Sequence, residues 1–443
     1  MNSRQHPFNS GPSPASLLAE GFGRVRVASL ALAAPLSEED CCAQSMPDTS
    51  PVKWHLAHTT WFFETFILER FEDGFHPFHE SFRVLFNSYY NGVGEKHPRP
   101  QRGMLTRPPL SLVRQYRADV DRRMARAIAT HGNDRAFRDL VLLGMNHEQQ
   151  HQELLLTDLK HLLSLNPLAP CYREWPASLP SGPVSAGWAD FDGGVVWVGA
   201  PSPAAPQSVE PAVEGDQDES GDGFCFDNEL PRYRQYLEAY RLGTRLVTNA
   251  EYLGFVEAGG YRDAQLWLSE GWDWVRGNGI EHPVYWSRGN DGWREFTLAG
   301  LRALDPGLPV AHVSYFEADA YARFAGARLP TEGEWEHASE TCGRDGHFGE
   351  EQRYHPLPAK SPGLCQMFGD LWEWTSSSYS PYPGFQAPEG AIGEYNGKFM
   401  VNQYVLRGGS CATPRDHIRP SYRNFFPTSA RWQFTGIRLA HSI

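Results

Sequence analysis

The chain has 443 residues, a net charge of −13, 41% hydrophobic and 13% aromatic content. That length calls for more than one domain and supplies ample apolar mass for packed cores. The charge argues against a nucleic-acid backbone or an anionic membrane as partner, and no run of about 18 apolar residues is present to span a bilayer. The seven cysteines include no CxxC pair. That usage fits reduced thiols in the cytoplasm, not a disulfide framework or a cysteine zinc site.

The polar, Pro-rich start MNSRQHPFNSGPSP has no apolar core, so it reads as a flexible tail and not as a secretory signal. From 14 to 170 the pattern is helical. SPASLLAEGFGRVRVASLAL begins a first helix. In DTSPVKWHLAHTTWFFETFILERF, Ser50 suits a cap and Pro51 the first helical position of a second. The turn-rich stretch from Phe71 to Pro109 reads as a long loop. PLSLVRQYRADVDRRMARAI and NDRAFRDLVLLGMNHEQQHQELLLTDLKHLLSL give two further helices, completing a four-helix bundle.

Residues 171–222 read as a connecting segment, with an acidic linker and one strand, GGVVWVGA, that contributes to the domain after it. Residues 223–443 alternate short aromatic runs with Gly, Pro and Asn turns. Helical signal is confined to stretches such as TNAEYLGFVEAGG, SYFEADAYARFAG and TEGEWEHAS. The expectation is a multidomain protein, α followed by α+β.

The fourth helix carries HEQQHQE. Residues four apart share a helix face, so His147 and His151 project together and can share a metal ion, with Gln150 on the same stripe. The second helix offers His55 and His58. His58 lies on the stripe Trp54, His58, Trp61, Phe62 and is the better third ligand; His55 falls off it and faces another neighbour. Three neutral imidazoles with open positions suit catalytic zinc or ferrous iron equally. The loop between the second and third helices holds Tyr89 and Tyr90, where a phenol could donate a proton beside a metal. It also holds Arg99, Arg102 and Arg107, which could grip a substrate carboxylate. Taken alone, the loop reads more readily as packing tyrosines and solvated arginines.

The segments TRLVTNAEYLGFV, AHVSYFEADAYARFAGARLPTEGEWEHAS, MFGDLWEWTSS and VLRGGSCATPRDHIRPSYRNFFPTSARWQFTGIRLA resemble the formylglycine-generating-enzyme or sulfatase-modifying-factor superfamily, whose fold is C-type-lectin-like. LAHTTWFFE and HEQQHQELLLTDLKH resemble DinB-like metal-binding bundles. Joined in this order, the two are similar to the sulfoxide synthases of ergothioneine biosynthesis. The resemblance implies a mononuclear non-haem Fe(II) on His58, His147 and His151. It also implies an O2-dependent reaction that joins the imidazole of hercynine, Nα-trimethylhistidine, to a thiol as the sulfoxide.

It further assigns Gln150 to orienting the hercynine imidazole, and Asn424 and Phe425 of YRNFF to the trimethylammonium group, where an aromatic face attracts a cation. Tyr89 matches the expected catalytic tyrosine with Tyr90 beside it; Tyr379, Tyr382 and Tyr395 are alternatives. Members that use γ-glutamylcysteine tend to carry an aromatic residue and then Asp after that asparagine. Here Phe425 is followed by Phe426, which points to free cysteine as donor. Formylglycine-generating enzymes use a late pair of reactive cysteines; Cys411 is isolated and reads as a packed residue. Ovothiol synthases append a methyltransferase, for which the sequence to Ile443 leaves no room. A thiol transferase of the DinB type and a lectin-like binding module are the rival readings.

Overall fold

The computed structural model describes residues 13–175, 184–201 and 224–443. The expected tail before residue 13 and nearly all of the acidic linker lie outside them. The chain divides into two compact units, one of Met1–Tyr89 and Val93–Leu155, the other of Tyr90–Gly92 and Leu156–Ile443.

The first unit is built on helices α1 (Pro14–Ala33), α2 (Val52–Phe63), α3 (Leu110–His131) and α4 (Arg135–Ser164), the last of which crosses into the second unit. Ser13 caps α1 by accepting from the Ser16 N–H at 3.2 Å. The cap expected for α2 is different. Pro51 itself, with extended backbone, occupies the cap position, and its carbonyl accepts from Trp54 and His55. The Ser50 hydroxyl is not free to cap because it accepts from Arg102 at 2.9 Å.

Every residue of α2 is buried, as expected for a helix with apolar residues on all sides. Its polar side chains must therefore find partners inside. The loop after α2 supplies them. Trp61 donates to the Arg83 carbonyl, Trp54 to Leu85, His58 to Phe86 and Lys53 to Leu105. The long excursion is thus pinned along α2. Asp134 caps α4 through the Phe137 N–H. Glu148 of α4 is fully buried, bonded to Arg26 and Ser29 of α1 and Arg117 of α3 at 2.6–2.8 Å. Burial alone would raise this carboxyl; the two guanidiniums outweigh it and hold it at about 2.

The second unit is α+β. Strands β1 (Trp188–Phe191), β4 (Tyr240–Gly243) and β12 (Ala440–Ser442) form one antiparallel sheet, and β2 (Gly194–Val198) pairs with β3 (Tyr233–Leu237). Strands β5 (Trp286–Gly289), β6 (Gly292–Thr297) and β7 (Gly300–Ala303) make a meander. A four-stranded sheet runs β10 (Asn424–Pro427), β9 (Gln403–Arg407), β8 (Trp372–Ser378), β11 (Thr435–Gly436).

Helices α5 (Asn249–Glu257), α7 (Tyr315–Phe324) and α8 (Glu332–Ser339) lie in the three stretches with helical signal. Each opens on a reciprocal cap: Thr248 with Glu251, Ser314 with Glu317, Thr331 with Glu334. Helix α6 (Ser269–Asn278) was not expected, and its Leu268 cap position offers no side-chain acceptor. The bundle was expected to run to 170, whereas the first unit ends at Leu155. The end of α4 is held by the second unit: Lys160, fully buried, lies 2.7 Å from His312 Nε2.

Candidate metal centre

The second helix delivers His58 and the fourth delivers His147 and His151. Gly144 makes the approach possible, since a Cβ there would lie 2.6 Å from the Phe63 ring. The three rings sit with centroids 4.6–4.9 Å apart. One potential ligand atom from each falls within 4.8 Å of the others. His58 and His147 are buried and His151 is partly exposed, so the cluster has one more open side.

His58 is fixed twice over. Its ring stacks between Trp54 at 4.5 Å and Trp61 at 5.5 Å, and its Nδ1–H donates to the Phe86 carbonyl at 2.6 Å. That bond leaves Nε2 as the lone-pair nitrogen. Nε2 is buried and has no hydrogen-bond partner. An unpartnered acceptor in the interior is costly, and a metal ion is the partner its chemistry suits. His147 packs on Phe62 at 4.7 Å, and burial drives its pKa down to about 3. Burial also holds His58 and His151 well below the ordinary imidazole range, with neighbouring rings adding to it. All three are neutral at physiological pH, the form in which imidazole binds metals.

His55, set aside from the ligand stripe, meets this centre: its Nδ1 lies 2.9 Å from His151 Nδ1. Helix spacing alone could place it on neither side, because its partner is on another helix.

Against the known proteins, residues 22–155 match the DinB superfamily, ending where the first unit ends. Residues 201–356 and 352–443 match the sulfatase-modifying factor enzyme 1-like domain. A hercynine oxygenase of Mycolicibacterium thermoresistibile is 32% identical over 90% of this chain and 88% of its own length. The hercynine oxygenase of Mycobacterium tuberculosis is 32% identical over 96% of this chain and 99% of its own. The chain belongs to the hercynine oxygenase family. Membership makes it an O2-dependent oxidoreductase. A formylglycine-generating enzyme of Streptomyces coelicolor, at 29% identity, covers only 53% of the chain. Cys411 is fully buried, and no described cysteine is disulfide-bonded.

In this hercynine oxygenase family member, Tyr89 is half-buried in the first unit, whereas Tyr90 is fully buried and counts with the second. The backbone N–H groups of Asn91 and Gly92 donate to Glu394 at 3.0 and 2.6 Å. Gln150 is half-buried on α4. Asn424, Phe425 and Phe426 lie on β10, half-buried and in register with Leu406, Val405 and Tyr404 of β9. Phe425 stacks on Tyr379 at 4.0 Å, and Phe399 lies 5.9 Å away.

The alternative tyrosines are all buried. Tyr379 accepts from Asn228, Tyr382 bonds Glu332 and Arg407, and Tyr395 stacks on Phe226. Of the loop arginines, Arg102 is buried, with its guanidinium 3.4 Å over the Trp54 ring, and Arg99 bonds the Asp48 carbonyl. Only Arg107 is left exposed and without such a bond. No described helix is long and apolar enough to cross a membrane.

Proposed function

We propose that the chain is a non-haem Fe(II)-dependent sulfoxide synthase. It joins the imidazole carbon of hercynine to the thiol of L-cysteine with O2, giving hercynylcysteine sulfoxide in ergothioneine biosynthesis. The observation that carries the reading is the convergence of His58, His147 and His151, with the buried His58 Nε2 lacking any hydrogen-bond partner. Three neutral nitrogen donors with coordination positions left over suit ferrous iron in oxygen chemistry. Bound there, iron would supply the O2 activation that side chains cannot.

The chain's own residues do the rest. The stacked Trp54 and Trp61 and the Phe86 carbonyl hold the His58 ring, so its lone pair needs no reorganisation when a metal binds. Gln150 offers an amide to orient the hercynine imidazole. Asn424 and Phe425 receive the trimethylammonium; one face of Phe425 is taken by Tyr379, so the cation meets the remaining face or edge. Tyr89 donates a proton during sulfoxide formation. Phe426 stands where an acid would recognise the γ-glutamyl ammonium, which favours free cysteine over γ-glutamylcysteine. The absence of disulfides among the described cysteines fits a cytoplasmic setting.

The test is anaerobic Fe(II) titration with hercynine and each thiol, followed by oxygen uptake and mass spectrometry. Cysteine is expected to give the sulfoxide. Turnover with γ-glutamylcysteine alone would overturn the donor, and Fe(II) binding without oxygen uptake would overturn the reaction. Tyr89→Phe is expected to keep iron and divert turnover from sulfoxide towards thiol oxidation. An unchanged product ratio would move that role to another tyrosine.

A further inference from the structure

We propose that His55 is a positioning residue of the metal centre, selecting the tautomer in which His151 presents Nε2 to the ion; this rests on the reading of His58, His147 and His151 as ligands. His55 and His151 meet Nδ1 to Nδ1 at 2.9 Å, with ring centroids 5.2 Å apart and planes inclined at 56°. Two nitrogens at that distance share one proton: one ring donates and the other accepts. Nδ1 of His151 is thereby engaged, which leaves Nε2 for a metal. A neutral imidazole that gives its Nε2 lone pair to a metal carries its proton on Nδ1. His151 is therefore the donor, His55 Nδ1 the acceptor, and the His55 proton sits on Nε2.

The two α2 histidines then have complementary tasks. His58 is a ligand whose own Nδ1–H is fixed by the Phe86 carbonyl. His55, three residues earlier, does for His151 what that carbonyl does for His58. His55 is 3% exposed, so water cannot readily replace it. His55 and His151 line a small cavity with Ser29, Thr59 and Gln152. The more usual partner of a ligating imidazole is a carboxylate or carbonyl. An imidazole acceptor orients the ligand without bringing a negative charge into the interior.

The experiment uses the full chain in metal-free form. Fe(II) affinity is measured anaerobically by chelator competition for wild type, His55→Leu and His55→Asn. Leucine removes the acceptor; the Asn amide oxygen can stand close to where Nδ1 stood. The expected result is a loss of about 10–100-fold in His55→Leu, the range for partners of metal ligands, and affinity restored to near the wild-type value in His55→Asn. Equal affinity in His55→Leu, or an asparagine variant as weak as the leucine one, overturns the proposal.

Should the leucine variant fail to fold, nitrogen-15 histidine NMR of the zinc-loaded wild type reads the tautomers directly. His151 protonated on Nδ1 and His55 on Nε2 supports the assignment; a protonated His55 Nδ1 overturns it. Wild-type protein that binds neither metal overturns the metal-centre reading and this inference with it. Normal wild-type binding with an indifferent His55→Leu overturns the inference alone.

Discussion

In the first unit, three imidazoles gather ligand atoms within 4.8 Å, and His58 Nε2 has no hydrogen-bond partner. In the second unit, Arg407 and Arg423 are buried as deeply, but Glu332 and Glu336 meet them at 2.9–3.0 Å. Likewise Arg438 closes on Glu373 at 2.7 Å, and the Trp335 indole donates to the same carboxylate. The arginine–carboxylate clusters neutralise their own charge, with Arg407 Nε the one nitrogen of these three guanidiniums that has no hydrogen-bond partner. In the imidazole cluster the charge is nil, and the His58 Nε2 lone pair meets no donor. His58 and His147 are as deeply buried as those arginines, while His151 is partly exposed; the pairing of charge inside the cluster separates the structural network from the candidate metal centre.

The comparison breaks most sharply at a ligand. His147→Ala or His151→Ala is expected to abolish product formation, and Fe(II) affinity to fall by more than about 100-fold, beyond the range for indirect partners. A variant that retains iron would show that the ring is packing and not a ligand. One position further along α4, Glu148 belongs to the self-neutralised kind. Glu148→Gln leaves Arg26 and Arg117 without their common carboxylate. Breaking a buried pair costs about 3–5 kcal/mol, so the metal-free variant is expected to melt several degrees lower. Unchanged melting would mean that the Arg26–Glu148–Arg117 cluster contributes nothing.

The convergence of three histidines was legible because helical spacing is short-range: four residues bring His147 and His151 to one face, and the aromatic stripe singled out His58. The capped helices of the second unit were legible for the same reason, since Thr248, Ser314 and Thr331 each precede their Glu by three residues. What failed to show is tertiary. The partner of His55 is 96 residues away. Ser50 loses its capping role to Arg102 across the loop. Arg102, a candidate carboxylate binder in the sequence, lies on Trp54 instead. The unit boundary moved from 170 to Leu155 because residues on the end of α4, such as Lys160, find their partners in the later chain.

A buried ionisable group has a third option besides a metal or a counter-ion, which is to shift towards its neutral form, as Asp370 does. It is 5% exposed and no guanidinium is bonded to it; its Oδ1 accepts from the Leu357 N–H at 2.7 Å. Burial lifts this carboxyl from 3.8 to about 7, against the pull of that N–H. Below pH 3.8 folded and unfolded chains both hold the proton, and the contribution to stability is fully present. Between 3.8 and about 7 the unfolded chain ionises first, so stability falls as pH rises, by up to about 1.4 kcal/mol per pH unit. Asparagine keeps the acceptor, tolerates the backbone φ of +54°, and cannot ionise. Asp370→Asn is therefore expected to gain stability over the wild type as the buffer moves from about pH 5 to about pH 8. Urea midpoints of both chains at the two pH values measure it. A gap that does not widen would mean that Asp370 is ionised in the folded protein and finds its compensation in the Leu357 N–H, the Lys360 charge and the Gln366 side chain.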